Sequence, residues 1–226
     1  MMIKDLLKKT RIYKVYINKR HNNYINKRIE QIRKEGKEIV KILETTLEST
    51  GLTYFATCGT LLGYIREKAI LKNDYDFDYA IMIYSGEEWK ILEKELNHHG
   101  FEKIRYFMLD GNITEQTYRS NNGIEVDFFG HYIIDGILCF YSYDKIPSEN
   151  YKEECEWSVY ILKNGSFAGV EKMNIDIGTV TVPRNAGEYL SFNYNDDWMI
   201  PNPSFKANTG KGCQLLKNKR GIIHNL

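Results

Sequence analysis

Between positions 101 and 142 three dipeptides, Asp110-Gly111, Asn122-Gly123 and Asp135-Gly136, interrupt runs of aromatic and β-branched residues. Each is the pair that a two-residue hairpin turn prefers, because both central residues must take positive φ. Strands joined by so short a turn can only be antiparallel neighbours, so the middle of the chain is predicted to be an antiparallel meander. A fourth pair, Asn164-Gly165, predicts another hairpin, and NIDIGTVTV (174–182) has strand alternation before Pro183. A Rossmann arrangement is disfavoured, since no GxGxxG follows a strand and hairpins do not link parallel neighbours.

The flanks supply helices. From Arg28 to Ser49 the apolar positions Ile29, Ile32, Ile39, Val40, Leu43 and Leu47 recur at helical spacing, and Gly51 is a plausible stop. Thr53 to Thr57 then reads as a strand, Gly59-Thr60 as a tight turn and LLGYIREK as a helix. YDFDYAIMIY (75–84) predicts a second strand, and a helix over about 86–99 ends at Gly100. Pro183 to Phe192 resembles a short helix with proline near its start, and from Asn193 onward the chain reads as irregular with a basic tail. The predicted class is α/β (α+β): a mixed or antiparallel sheet flanked by helices.

Composition narrows the function classes. The 226 residues suit one globular domain with a short appendage, and no apolar run approaches the roughly 18 to 20 residues of a membrane span. The N-terminus lacks a signal peptide's pattern, so a cytoplasmic location is expected. Four cysteines (Cys58, Cys139, Cys155, Cys213) form no CxxC pair and read as reduced thiols. The net charge of +1 hides an asymmetry: residues 1–28 hold nine Lys or Arg against Asp5 alone, a local +8 that leaves −7 for the rest. The expected division is therefore a basic leader, 1–27, and a catalytic domain, 28–226. Apolar residues interleave the leader's charges, which suits either contact with an anionic membrane surface or a solvated helix. Nucleic-acid binding is not expected, because the remainder is acidic and carries no recognisable module.

The chemistry concentrates in Asp74-Tyr75-Asp76-Phe77-Asp78. On a strand of period two all three carboxylates share one face, where they repel one another unless a cation neutralises them. Mg²⁺, with Mn²⁺ as the alternative, suits such oxygen ligands; an acidic, solvent-exposed strand edge is the other reading. Glu125 and Asp127 alternate with Ile124, Val126 and Phe128, which places Asp127 within reach of Asp76 and Asp78 across the sheet, whereas Glu125 reads as an exposed strand carboxylate. Gly59-Thr60, between a strand and a helix, offers free backbone N–H groups to a phosphate.

A strand, a Gly-Thr turn, a helix, an aspartate pair and a later third aspartate form the arrangement of the nucleotidyltransferase superfamily typified by polymerase β. With its flanks, YFATCGTLLGYIREKAILKNDYDFDYAI resembles the signature of the LicD/fukutin family of phosphotransferases, and VPRNAGEYLSFNYNDDWMIP resembles that family's second block. Together they frame residues 53 to 201. The chain departs from the pattern at Leu71-Lys72-Asn73, where the family has Pro-Trp, and at Tyr194-Asn195, where it has Tyr-Gly. These changes bear on the pocket wall more than on the reaction.

The resemblance implies transfer of a phosphorylated alcohol, phosphocholine or a polyol phosphate, from a CDP-linked donor to a hydroxyl of a glycan or lipid-linked saccharide, with release of CMP. It implies modification of capsule or lipopolysaccharide at the cytoplasmic face of the membrane. Asp76, Asp78 and Asp127 would hold one or two Mg²⁺ ions, with Asp127 the candidate base. Gly59 and Thr60 would contact donor phosphate, Asp74 would sit at the strand's mouth, and Arg66 would pair with phosphate or anchor the aspartate loop. Trp198 would pack on the core or line the donor pocket, Tyr189 and Leu190 belong to the core, and Arg119 is a further phosphate candidate. Two rivals stand beside this reading: a nucleotidyltransferase that keeps the NMP and releases pyrophosphate, and a catalytically silent nucleotide- or glycan-binding module.

Overall fold

The computed structural model describes residues 11–145 and 155–226. Helix α1 (Arg11–Ser49) is followed by strand β1 (Tyr54–Ala56), the short helix α2 (Cys58–Leu62) and a single π turn (Gly63–Glu67). Next come β2 (Phe77–Met82), α3 (Glu88–His98) and the meander β3 (Phe101–Leu109), β4 (Asn112–Ser120), β5 (Glu125–Ile134) and β6 (Ile137–Asp144). The remaining elements are β7 (Glu156–Lys163), β8 (Val170–Ile175), β9 (Gly178–Pro183), α4 (Ala186–Tyr194) and β10 (Cys213–Asn225).

Asp110-Gly111 and Asp135-Gly136 form the predicted two-residue turns with both residues at positive φ, whereas Asn122-Gly123 lies in a longer loop in which only Gly123 takes positive φ. The main sheet runs β1-β2-β5-β4-β3-β10-β7-β6, and β6 also pairs with β5. The six strands from β5 round to β6 thereby close on themselves, which removes the edge that β6 would otherwise present and leaves β1 as the sheet's edge strand. β2 pairs with β5 in parallel, the other pairings are antiparallel, and a separate hairpin joins β8 to β9.

A continuous apolar core ties these layers together. Ile32, Ile39, Val40, Leu43 and Leu47 of α1 pack with Phe55, Phe77, Tyr79, Ile81, Leu92, Leu96, Phe128 and Leu190, all nearly or wholly inaccessible to water. Two buried polar clusters inside it are hydrogen-bonded. Glu44 receives the hydroxyls of Tyr54, Tyr79 and Thr181, and Tyr189 Oη sits 2.6 Å from Thr57 Oγ1 and 2.8 Å from His131 Nε2. That second chain pins the start of α2 to the sheet and to α4.

Several expectations need correction. The helix expected over 28–49 already spans Arg11–Ser49, because nothing between Lys27 and Arg28 breaks it; of the leader, residues 1–10 lie outside the described residues and 11–27 belong to α1. The strand expected over 75–84 is Phe77–Met82, so Asp74 and Asp76 precede it and only Asp78 is a strand residue. Asn164-Gly165 makes no hairpin: the Asn164 and Leu138 N–H groups donate to the carbonyls of Leu138 and Gly165, which prolongs the β6–β7 pairing. The run 174–182 folds back over Asp176-Ile177; Ile177 is buried in that turn, so the apolar alternation continues through it and masks it. Pro183 closes β9, and α4 starts at Ala186. Finally, the tail expected to be irregular contains β10, held between β3 and β7 with an irregularity between Leu215 and Arg220.

Gly63 shows why the segment leading to the aspartates crosses where it does. A Cβ there would stand 2.8 Å from the Ala69 carbonyl oxygen and 3.0 Å from Leu71 Cγ, so the 69–71 backbone rests directly on the π turn. Gly63→Ala is expected to cost roughly 1–3 kcal/mol through overpacking, read as a lower denaturation midpoint; an unchanged midpoint would mean that the crossing is loose.

Candidate active site

The parallel register of β2 on β5 places Asp78 opposite Asp127. Neighbouring parallel strands stand about 4.8 Å apart, and residues in register project to the same face. Two carboxylates therefore share one small region by backbone geometry alone. The loop before β2 adds Asp76 beside them and Asp74 against Gly59, whose position for a Cβ lies 3.4 Å from Asp74 Oδ1 and 3.6 Å from Asp78 Oδ2.

The Cys58-Gly59-Thr60 segment holds this cluster in place. Cys58 has φ 45°, a left-handed conformation that a non-glycine residue adopts at some cost and that is found preferentially where function demands it. Gly59 and Thr60 form the start of α2 rather than the separate tight turn expected before a helix, and there the Gly59 N–H donates to Asp78 Oδ2 at 3.2 Å while Thr60 Oγ1 accepts the Asp78 N–H at 2.9 Å. Both predicted phosphate contacts thus clasp Asp78 itself. Arg66 pairs with Glu67 at 2.8 Å, donates to the Trp198 carbonyl at 3.3 Å and exerts its charge on Asp74. It ties the C-terminal block to the aspartate loop, and Trp198 is half-buried on the core against Gly187. Tyr189 and Leu190 are core residues as expected.

Arginines that the sequence reading assigned no site role complete the constellation. Arg28 of α1 donates Nε to the Tyr75 carbonyl at 2.8 Å, pairs Nη1 with Glu125 at 3.0 Å and lies between the rings of Tyr24 and Tyr75. Its Nη2 is buried without a hydrogen-bond partner, 3.9 Å from Asp76 Oδ2. Arg105 of β3 reaches Asp127 Oδ1 at 3.2 Å, an oxygen that also accepts the Thr117 hydroxyl. Glu125, expected to be exposed, is instead 3% exposed and bound by Arg28, by Arg119 at 2.8 Å and by the Tyr24 hydroxyl. Arg119 is therefore committed to Glu125. Arg28 lies far in sequence from Glu125 and Asp76, so no local signal reveals its role, whereas Arg119 faces Glu125 directly across the β4–β5 hairpin.

Crowding sets the protonation behaviour. Burial, followed by the charges of Asp76 and Asp127, pushes the Asp78 carboxyl well above the usual carboxylate range. Burial and Asp127 do the same to Asp76, with Arg28 pulling the other way. Burial raises Asp74 to about 7 against the pull of Arg66, and one of its oxygens, Oδ2, is buried with no partner. Glu115 on β4 is raised by burial and by Asp127.

Among the described residues no three of His, Cys, Asp and Glu already converge on a common ligation point. The donor set nevertheless fits a hard divalent cation: all oxygen, with Asp76 and Asp78 raised by burial and by neighbouring carboxylates, and an unpartnered oxygen of Asp74 at its edge. Asp76, Asp78 and Asp127 are the residues that would hold it.

A mixed sheet whose parallel junction carries an aspartate pair, faced by the Gly59-Thr60 segment, resembles a nucleotidyltransferase-type domain. The family model for LicD/FKTN/FKRP, nucleotidyltransferase domain, matches residues 51–185, and the chain belongs to that family. Among curated relatives it is similar to the mouse (Mus musculus) ribitol-5-phosphate transferase FKTN, 25% identical over 173 residues that cover 75% of this chain. The chain spans about a third of that relative's length, 34%. Among solved structures it is similar to the lincomycin-bound lincosamide antibiotic adenylyltransferase LnuA, with TM-score 0.42, 14% identity, and coverage of 73% of this chain and 92% of that one.

The raised carboxyls carry a stability consequence. Folded Asp74 keeps its proton up to about pH 7, whereas the unfolded chain releases it near 3.8, so the folded state binds more protons in that window. Stability is therefore expected to fall as pH rises from about 4 to 7 in cation-free buffer, by roughly 2–4 kcal/mol from this group. Asp74→Asn is expected to raise the melting temperature at pH 8 and flatten that slope; a variant less stable than the parent at pH 8 would show that the carboxylate is favourably paired.

Proposed function

We propose that this domain transfers a phosphorylated alcohol, a polyol phosphate or phosphocholine, from a CDP-linked donor to a hydroxyl of a glycan or lipid-linked saccharide, releasing CMP. The observation that carries the reading is the register of Asp78 against Asp127, clasped by the Gly59-Thr60 turn. Family membership and the likeness to a ribitol-5-phosphate transferase support the class of reaction.

In this reading the acceptor hydroxyl oxygen attacks the phosphorus that bears the alcohol, and the bond from that phosphorus to the CMP oxygen breaks. Asp127 takes the hydroxyl's proton on a carboxylate oxygen, with Thr117 and Arg105 fixing the orientation of that carboxylate. Arg28, beside Asp76 at 3.9 Å, would move to hold a donor phosphate oxygen in this reading. Asp76, Asp78 and Asp127 would hold Mg²⁺ or Mn²⁺, which would supply positive charge against the charge developing on the leaving phosphate. The basic start of α1, with Val15 and Tyr16 exposed, would bring the domain to an anionic membrane surface at the cytoplasmic face, where a lipid-linked acceptor and capsule or lipopolysaccharide precursors reside. Among the described residues no helix is long and apolar enough to cross a membrane.

The test is product analysis with Mg²⁺, a panel of CDP-choline, CDP-ribitol, CDP-glycerol and CDP-ethanolamine, and the four NTPs. CMP release from one CDP-alcohol is expected, with Asp127→Asn lowering kcat by about 10²–10⁴ while CMP affinity persists. Pyrophosphate from an NTP would replace the reading with nucleotidyl transfer, and binding with no turnover would replace it with a silent binding module.

A further inference from the structure

Arg28 stands beside the acidic cluster without closing a hydrogen-bonded pair in it. Its Nη2 lies 3.9 Å from Asp76 Oδ2 and has no hydrogen-bond partner. Other groups hold the guanidinium. Nε donates to the Tyr75 carbonyl at 2.8 Å, Nη1 donates to the Tyr24 hydroxyl at 3.2 Å and pairs with Glu125 at 3.0 Å, and the Tyr24 and Tyr75 rings lie 5.4 and 5.2 Å from it. None of these anchors is a carboxylate of Asp76, Asp78 or Asp127. The positive charge is therefore built in by α1, the backbone before β2 and β5, and it stays whatever Asp76 binds. A turn of the fork that brings Nη2 to a phosphate keeps the charge in the same place.

The aspartates keep oxygens to spare. The Asp76 side chain is 22% exposed against 9% for Arg28, so ligands reach the carboxylate more readily than the guanidinium. Asp78 receives the Gly59 N–H on Oδ2, and Asp127 receives Thr117 and Arg105 on Oδ1, one oxygen each. Arg105 is a second charge of the same kind, 3.2 Å from Asp127 and 3.9 Å from Glu125. A closed Arg28–Asp76 pair would engage an Asp76 oxygen. The gap leaves that carboxylate open while the charge remains.

A fixed cationic group beside such carboxylates acts in opposite directions on the two species that the site is read to take. It repels a divalent cation at short range and attracts a diphosphate. Salt screens neither effect strongly where water is largely excluded.

We infer that Arg28, seconded by Arg105, sets the order in which the site is loaded: its charge holds the affinity for a free divalent cation down and the affinity for a diphosphate up, so that the cation enters with the nucleotide rather than ahead of it. The inference rests on the reading of Asp76, Asp78 and Asp127 as the residues that hold the cation.

Two binding measurements on the full-length protein test it: Mn²⁺ alone, followed by loss of the free-ion EPR signal, and CDP alone, followed by calorimetry without any divalent cation. Both are compared on the alkaline plateau of a pH series, where protons no longer compete for the carboxylates. Arg28→Gln is expected to bind Mn²⁺ about tenfold more tightly than the parent and CDP about tenfold more weakly. Arg28→Lys keeps the charge and is expected to stay close to the parent for both. Arg105→Gln, at a partly exposed position, is expected to tighten Mn²⁺ in the same direction and keeps the test open should Arg28→Gln fail to fold. Damage to the fold would weaken both ligands, so the opposite signs are the signature of the charge. The inference is overturned if neither glutamine variant binds Mn²⁺ more tightly than the parent, or if Arg28→Gln loses Mn²⁺ and CDP together. Absence of Mn²⁺ binding to every form, with CDP or without it, would overturn the cation site and the inference with it. Neither readout needs turnover, so absence of CMP release would count against the proposed reaction alone.

Discussion

Asp78 and Asp127 are held in register on adjacent parallel strands, where the backbone leaves them no means of separating. Two like charges this close, largely shielded from water, oppose folding unless protons, arginines or a cation compensate. Much of the surrounding architecture serves that juxtaposition. The closed meander fixes β5, the Cys58-Gly59-Thr60 turn fixes the start of β2, and the Thr57-Tyr189-His131 chain anchors that turn to α4 and the sheet. The structure spends stability on a fixed acidic site, as sites organised for electrostatic work commonly do.

The compensating charges come from a distance. Arg28 belongs to the helix that opens the described chain, yet it joins Glu125 on β5 to the Tyr75 carbonyl and to the vicinity of Asp76. Arg105 joins β3 to Asp127. Glu125 is the hub that allows three basic residues to gather beside an acidic cluster without net repulsion. A buried network of this kind orients its members more than it stabilises the fold. It leaves Arg28 Nη2 without a hydrogen bond, 3.9 Å from Asp76 Oδ2.

What the sequence made legible follows the range of the forces involved. Hairpin dipeptides act over four residues, so the meander could be read directly, and the aspartate run and Gly-Thr turn are local patterns of the same kind. The site's second layer was hidden because Arg28 and Glu125 are 97 positions apart, and only the closed sheet brings them together. Glu125 looked exposed because strand alternation assigns a face without saying what covers it. β10 was missed because Lys217, Lys219 and Arg220 interrupt its apolar pattern, while its backbone still pairs with β3 and β7 around that irregularity. The turn at Asp176-Ile177 was missed for the opposite reason, an apolar residue buried where a polar one is usual.

Direct observation of a divalent ion at the Asp78–Asp127 junction is the sharpest test. Mn²⁺ titrated into the protein and followed by loss of the free-ion EPR signal is expected to bind, with binding abolished in Asp78→Asn and in Asp127→Asn and retained in Asp110→Asn on a distant turn. Equal Mn²⁺ binding by the two junction variants and the parent would contradict the account, because the register of β2 on β5 would then have no part in holding the ion.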